Sequence, residues 1–157
     1  MIRALALCLG LCVCVATQAQ EVRPFMRGSQ QAIVAAHQGQ SFVLALWSLD
    51  CAHCRDDLAL LGKLQAKYRK IKVVLVATDA PARQREIQAV ARQYRLHRAE
   101  SWVFADSFVE RLRYEIDPQW YGELPRTYFF DTHGQATAVS GKLAPQATED
   151  WVRGATL

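Results

Sequence analysis

Cysteine is nearly absent from the body of this chain. Of its five cysteines, Cys8, Cys12 and Cys14 fall within residues 1–19, and beyond them there are only Cys51 and Cys54. A scaffold stapled by several spaced disulfides is thereby excluded. Repeats, low-complexity tracts and linkers are also missing, so nothing divides the chain into separate units. Charge of one sign is scarce too: Lys and Arg number 19 against 15 Asp and Glu, for a net charge of +4. That mild excess points to no nucleic-acid or membrane partner. The densest basic stretch, Arg83 to Arg98, falls on an expected helix and reads as a solvated face. Metal-ligand spacing is lacking as well. His37, His97 and His133 are scattered with no second paired motif, which speaks against structural zinc. Haem attachment through Cys-x-x-Cys-His fails on Arg55, which stands where histidine is required.

What is present begins with a leader-like N-terminus. Met1-Ile2-Arg3 supplies a positive charge, and Ala4 to Ala16 is unbroken apolar or glycine. Thr17-Gln18-Ala19 then offers small residues before a cut after Ala19. The run falls short of the about 20 residues of a comfortable membrane span. Residues 1–19 are therefore expected to be a signal peptide, against the competing reading of an uncleaved anchor. None of the three early cysteines follows Gly, Ala or Ser, which argues against lipoprotein processing. Residues 20–157 are expected to be a single exported domain, periplasmic or otherwise, with no stable membrane anchor after cleavage. The chain is 51% hydrophobic, so a real core is expected rather than disorder.

Along this domain the elements alternate in type. Ser29 to His37 reads as a helix capped by Ser29 and stopped by Gly39. Phe42 to Ser48 is a continuous apolar run suited to a buried central strand. A helix is expected from about Cys51 to Arg69, with Leu58, Leu61, Leu64 and Tyr68 at helical spacing. Lys72 to Ala77 is a second buried strand. Pro81 opens a further helix whose apolar face is Ile87, Val90, Ala91 and Tyr94. Trp102 to Phe104 is a short strand, and Ser107 with Glu110 is expected to form a capping box. Thr127–Asp131 and Ala136–Ser140 read as a hairpin around Thr132-His133-Gly134-Gln135. Pro145 to Val152 closes the chain as a helix, with Trp151 against the sheet. The order α-β-α-β-α-β-α-β-β-α predicts an α/β fold with a central mixed sheet flanked by helices on both faces.

Cys51-Ala52-His53-Cys54, where a strand gives way to a helix, is a pairing suited to thiol–disulfide chemistry. The helix N-terminus favours an anionic sulfur, and the second cysteine is within bridging reach. Together with Trp47 four residues before Cys51, Asp57 three after Cys54, and the segment Leu124-Pro125-Arg126-Thr127-Tyr128-Phe129-Phe130-Asp131, this pattern resembles the thioredoxin-like fold. More closely it is similar to exported thiol–disulfide oxidoreductases of the TlpA/ResA type. The resemblance covers about residues 29–152 and implies a redox-active disulfide with no further cofactor. It implies a cis-proline at Pro125 facing that disulfide, protein thiol or disulfide substrates, and a membrane electron donor or acceptor. It favours a reductant acting in cytochrome c or copper-site maturation. Several positions depart from the family pattern. Asp50 precedes the first cysteine where an uncharged residue is common. Ala45 replaces a buried polar or acidic residue, Ala59 stands in place of a proline, and the stretch from Tyr114 to Pro125 is longer than usual.

Individual roles are drawn with their alternatives. Cys51 is the expected nucleophile and Cys54 the resolving thiol, against an inert structural bridge. His53 either stabilises the thiolate, as in DsbA-type oxidants, or is an exposed residue of little effect. Asp50 opposes the thiolate. Asp57 either exchanges protons with Cys54 or is an ordinary surface acid. Trp47 either shields the pair or packs in the core. Trp120 and Tyr121 either form an apolar shelf for a partner polypeptide or cover the sheet edge. A DsbA-like oxidant, and a non-catalytic binding module or metallochaperone of the same fold, are the alternatives to the reductant.

Overall fold

The computed structural model describes residues 21–157; the signal-peptide and cleavage reading lies outside the described residues. The first half of the fold comprises β1 (Val22–Phe25), α1 (Ser29–Ala36), β2 (Phe42–Trp47), α2 (Cys54–Lys67) and β3 (Lys72–Ala77). A single 3-10 turn, Pro81–Arg83, leads into α3 (Gln84–Gln93) and β4 (Glu100–Phe104). Then follow α4 (Val109–Ile116), β5 (Arg126–Phe130), β6 (Ala136–Ser140) and α5 (Pro145–Thr156).

The two continuous apolar runs take the centre of the sheet, where both faces are covered. Every residue of β2 is buried, as is all of β3 after Lys72. The sheet order is β1-β4-β3-β2-β5-β6. Strands β1, β4, β3 and β2 are mutually parallel, whereas β5 runs antiparallel to both β2 and β6. Helix α2 makes the crossover that a parallel β2–β3 pair requires. On one face, Val43, Ala45, Trp47, Val73 and Leu75 pack with Leu58 and Leu61 of α2, Ile87 and Ala91 of α3, and Val152 of α5. On the other, Leu44, Leu46, Val74 and Val76 meet Ile33 of α1 and Leu112 and Ile116 of α4. This is the mixed sheet with helices on both faces that the element order predicts, and its topology is that of the thioredoxin-like fold.

Local departures have identifiable causes. Strand β1 adds an element to the expected order, and Pro24 lies within its four residues. It is tolerated at the sheet edge, where proline's missing N–H costs no ladder bond. Helix α2 begins at Cys54 rather than Cys51, because residues 52 and 53 form a turn held by the cysteine pair. The expected Ser107–Glu110 capping box does not form. Helix α4 starts at Val109, and Asp106 Oδ1 instead accepts the Phe108 N–H at 2.8 Å. Ser29 is the first residue of α1 rather than its cap, and its Oγ accepts the Met26 N–H at 2.9 Å. Helix α5 extends to Thr156, and the Trp151 ring lies 4.9 Å from that of Phe129, pinning the helix to β5 as expected. Among the described residues no helix is long and apolar enough to cross a membrane.

Helix α2 lies so close to the end of α3 that a Cβ at Gly62 would stand 1.9 Å from the Tyr94 carbonyl oxygen. Backbone meets backbone there, with no flexible side chain to yield. Gly62→Ala is expected to destabilise the fold by about 1–3 kcal/mol, the usual cost of overpacking. Urea unfolding should show a lower midpoint at unchanged slope; an unaltered midpoint would mean that the helices part freely.

Candidate active site

The sheet topology brings several chain segments to one end. Register pairs Trp47 with Ala77 and Leu46 with Arg126. The chain therefore leaves β2 toward Cys51, leaves β3 toward Asp79, and enters β5 through Leu124-Pro125 at the same end of the sheet. Strand β6 exits there too, toward Lys142 and Leu143. In open α/β sheets, ligands bind at such carboxyl ends, where the connections from the central strand diverge. Thr78 N–H binds the Trp47 carbonyl at 2.9 Å, and Gly141 N–H binds the Pro125 carbonyl at 2.9 Å. These bonds lace the neighbouring exits together.

Cys51 and Cys54 form a disulfide with Cα atoms 5.4 Å apart. The two sulfurs are not equivalent. Cys54 is fully buried in the core beneath α2, whereas Cys51 is partly exposed. Cys51 Sγ accepts the Cys54 N–H at 3.1 Å, the contact that a capping oxygen makes at a helix start. A thiolate on Cys51 has that donor and the positive end of α2 to stabilise it. The Leu124–Pro125 peptide bond is cis, and Pro125 is buried where β5 begins. Leu124 packs against both core clusters. Trp47 packs in the core: it is buried in the same cluster as Cys54 and Leu49, and its indole N–H has no protein partner.

Asp57 is not a surface acid. It is 5% exposed, one turn after Cys54 on the buried side of α2. Its Oδ1 accepts the Leu143 N–H at 3.0 Å, while Oδ2 is buried without a partner. Burial pushes this carboxyl above the ordinary aspartate range, against the pull of the Leu143 hydrogen bond. A residue three positions on along a helix is a side-chain neighbour, so a proton acceptor of raised pKa lies beside the buried cysteine. Asp56, on the outer face, pairs instead with Lys142 at 2.6 Å. His53 is exposed at the start of α2 and makes no capping bond with its side chain.

Two groups that the sequence reading missed complete the surroundings. Arg83, assigned there to a solvated basic face, turns back to the motif. Its Nη1 lies 2.8 Å from Asp50 and 3.1 Å from buried Asp79, and its Nη2 lies 3.0 Å from Glu86. Asp79 Oδ2 in turn accepts the Leu49 N–H at 3.0 Å. The Asp79–Arg83 spacing of i, i+4 was the available signal. Arg98, from the same stretch, donates to the Gln65 and Arg69 carbonyls at the end of α2.

The second group holds the long segment before Pro125. Arg126 reaches Asp117 at 2.5 Å and Ser140 Oγ at 2.5 Å, and its Nε donates to Tyr128 Oη at 3.1 Å. Burial pushes the Tyr128 phenol up to about 12. Trp120 is 3% exposed, packs in the core, and donates from its indole to the Glu123 carbonyl at 2.8 Å. The expected two-residue aromatic shelf is therefore corrected. Trp120 anchors the loop inside the molecule, and Tyr121 alone, 89% exposed, faces solvent.

No protein-family model matches the chain and no curated protein does so. Solved structures do. A secreted Mycobacterium tuberculosis disulfide oxidoreductase homologous to E. coli DsbE is similar with a TM-score of 0.61 and 20% identity, over 76% of this chain and 85% of that one. A putative thiol:disulfide interchange protein DsbE from Chlorobium tepidum gives 0.57 and 22%, over 79% and 85%. StoA from Bacillus subtilis gives 0.52 and 15%, over 73% and 83%. At these identities the likeness establishes the thioredoxin-type fold.

Because the folded Asp57 carboxyl binds its proton more tightly than the unfolded one, its favourable contribution is complete below the unfolded pKa. That contribution is lost as pH rises through the folded pKa. Asp57→Asn keeps an oxygen for the Leu143 N–H and carries no charge. The oxidised variant is expected to gain stability relative to the parent as pH is raised from about 4 to about 8. Urea midpoints that differ by the same amount at every pH would contradict this.

Proposed function

We propose that this protein is an exported thiol–disulfide oxidoreductase acting on the disulfides and thiols of partner proteins. One arrangement carries the reading: a partly exposed cysteine at a helix start, its partner fully buried, and a buried carboxyl of raised pKa one turn further on. In the reductive direction the Cys51 thiolate attacks a partner disulfide, and the partner's distal sulfur leaves as a thiolate. Asp57 takes the Cys54 proton. The Cys54 sulfur then attacks Cys51, releasing the partner's second sulfur and closing the disulfide. Two electrons pass from the pair to the partner. The pair is the whole redox group, with no further cofactor, and an external membrane donor returns the electrons.

The resemblance to TlpA/ResA-type proteins supports the reductant, with cytochrome c or copper-site cysteines as the client class. A second reading, a DsbA-like oxidant, is favoured by exposed His53 at the start of α2. The reduction potential of the pair in a glutathione or dithiothreitol buffer separates them. A value near about −270 mV fits the reductant and one near about −120 mV the oxidant.

Cys54→Ser is expected to trap mixed disulfides between Cys51 and client proteins. A binding module or metallochaperone would accumulate none and would lose metal or partner binding instead. Asp57→Asn is expected to slow the resolving step by roughly 100-fold, as loss of a general base does, while sparing the first attack. Stopped-flow single turnovers resolve the two phases. Tyr121→Ala is expected to impair exchange with protein disulfides and spare exchange with a small disulfide; equal loss on both would remove Tyr121 from docking.

A further inference from the structure

We infer that Arg83 is a positioning residue for the cysteine pair: it holds the Asp50 carboxylate and so keeps that charge from acting against the Cys51 thiolate. This rests on the redox reading of Cys51 and Cys54 and adds a group from outside their helix.

Asp50 is the residue immediately before the expected nucleophile, and its side chain is mostly exposed. Alone, a carboxylate there disfavours a neighbouring thiolate. It is not alone, because Arg83 Nη1 lies 2.8 Å from its Oδ2. The guanidinium cannot drift away, since two other carboxylates fix it. Asp79 takes the same nitrogen at 3.1 Å, and Glu86 receives Nη2 at 3.0 Å and Nε at 3.3 Å. Asp79 is itself buried and tied to the motif loop through the Leu49 N–H. A continuous path of contacts therefore runs from the loop backbone through Asp79 and Arg83 back to Asp50.

The charges on the other side of Cys51 are disposed differently. Asp56 is matched by Lys142 at 2.6 Å, Asp57 is buried, and His53 is exposed. Asp50 is thus the carboxylate whose influence on Cys51 depends on a residue contributed from β3's exit. With Arg83 in place, the Asp50 charge is opposed by a cation 2.8 Å away, and the field of such a pair falls off faster than that of a bare charge. The pairing explains how the chain carries an acid at a position where an acid opposes its own nucleophile.

The test is the pH dependence of Cys51 alkylation by iodoacetamide in the reduced full domain, with the modified residue located by mass spectrometry. Arg83→Met is expected to lower the thiolate fraction at neutral pH roughly threefold, the order of one newly uncompensated charge beside a solvent-facing sulfur. Arg83→Lys should restore most of it. In an Asp50→Asn background, Arg83→Met should have a clearly smaller effect, because only Asp79 and Glu86 then remain for Arg83 to offset. An equal shift in both backgrounds, or an unchanged Cys51 titration in Arg83→Met, overturns the inference. A normal Cys51 titration in a parent protein that exchanges with neither dithiothreitol nor any protein disulfide overturns the redox reading instead. Circular dichroism of each variant ensures that the comparison is between folded proteins, and Arg83→Gln takes the place of Arg83→Met should the latter unfold.

Discussion

A strand buried on both faces and hydrogen-bonded along both edges has no freedom to slide, and β2 is such a strand. Its parallel register with β3 and antiparallel register with β5 fix where the chain must emerge after Trp47. Everything at the candidate active site is measured from that exit. The cysteine turn follows it, Asp79 and Arg83 come from the neighbouring parallel strand, and Pro125 lies at the start of the neighbouring antiparallel one. A one-residue slip of β2 would reverse its two faces and carry this constellation with it.

Around the disulfide, the protein separates charge by depth. Ion pairs lie outside: Asp50 with Arg83, and Asp56 with Lys142. Inside stand Asp79, partnered by Arg83 and the Leu49 N–H, and Asp57, the buried acid with one oxygen satisfied and one without a partner. Exposed pairs of this kind contribute little to stability, and the buried acid opposes it at neutral pH. Their placement makes sense as conditions for sulfur chemistry. The partly exposed Cys51 lies at a helix start with Asp50 paired to a cation, while the buried Cys54 has the Asp57 carboxyl one turn away.

Much of this was legible in the sequence because it rests on local patterns. The apolar runs of β2 and β3, the spacing of Leu58 and Leu61, and the Cys-x-x-Cys motif each imply their structural context without knowledge of the rest. The resemblance carried Pro125 and Asp57 as positions worth examining, but it left open whether Asp57 was buried. Only the Leu143 backbone, 86 residues away in the chain, closes over it. Arg83 was misassigned because charge counting along a helix cannot see a carboxylate 33 residues away. Trp120 and Tyr121 were left between display and packing for the complementary reason: a loop's apolar residues divide between the two according to a core that local sequence does not describe.

The contact between Gly62 and Tyr94 bears on how firmly the helix that carries the cysteine turn is seated. With two backbones touching and no compressible side chain between them, α2 is braced against the end of α3 and resists moving along its own axis. Arg98 holds the same region of α2 through its last carbonyls. The other end of the helix carries Cys54 and meets the exposed Ala52-His53 turn. The helix behaves as an anvil, seated firmly at one end and presenting the cysteine turn at the other.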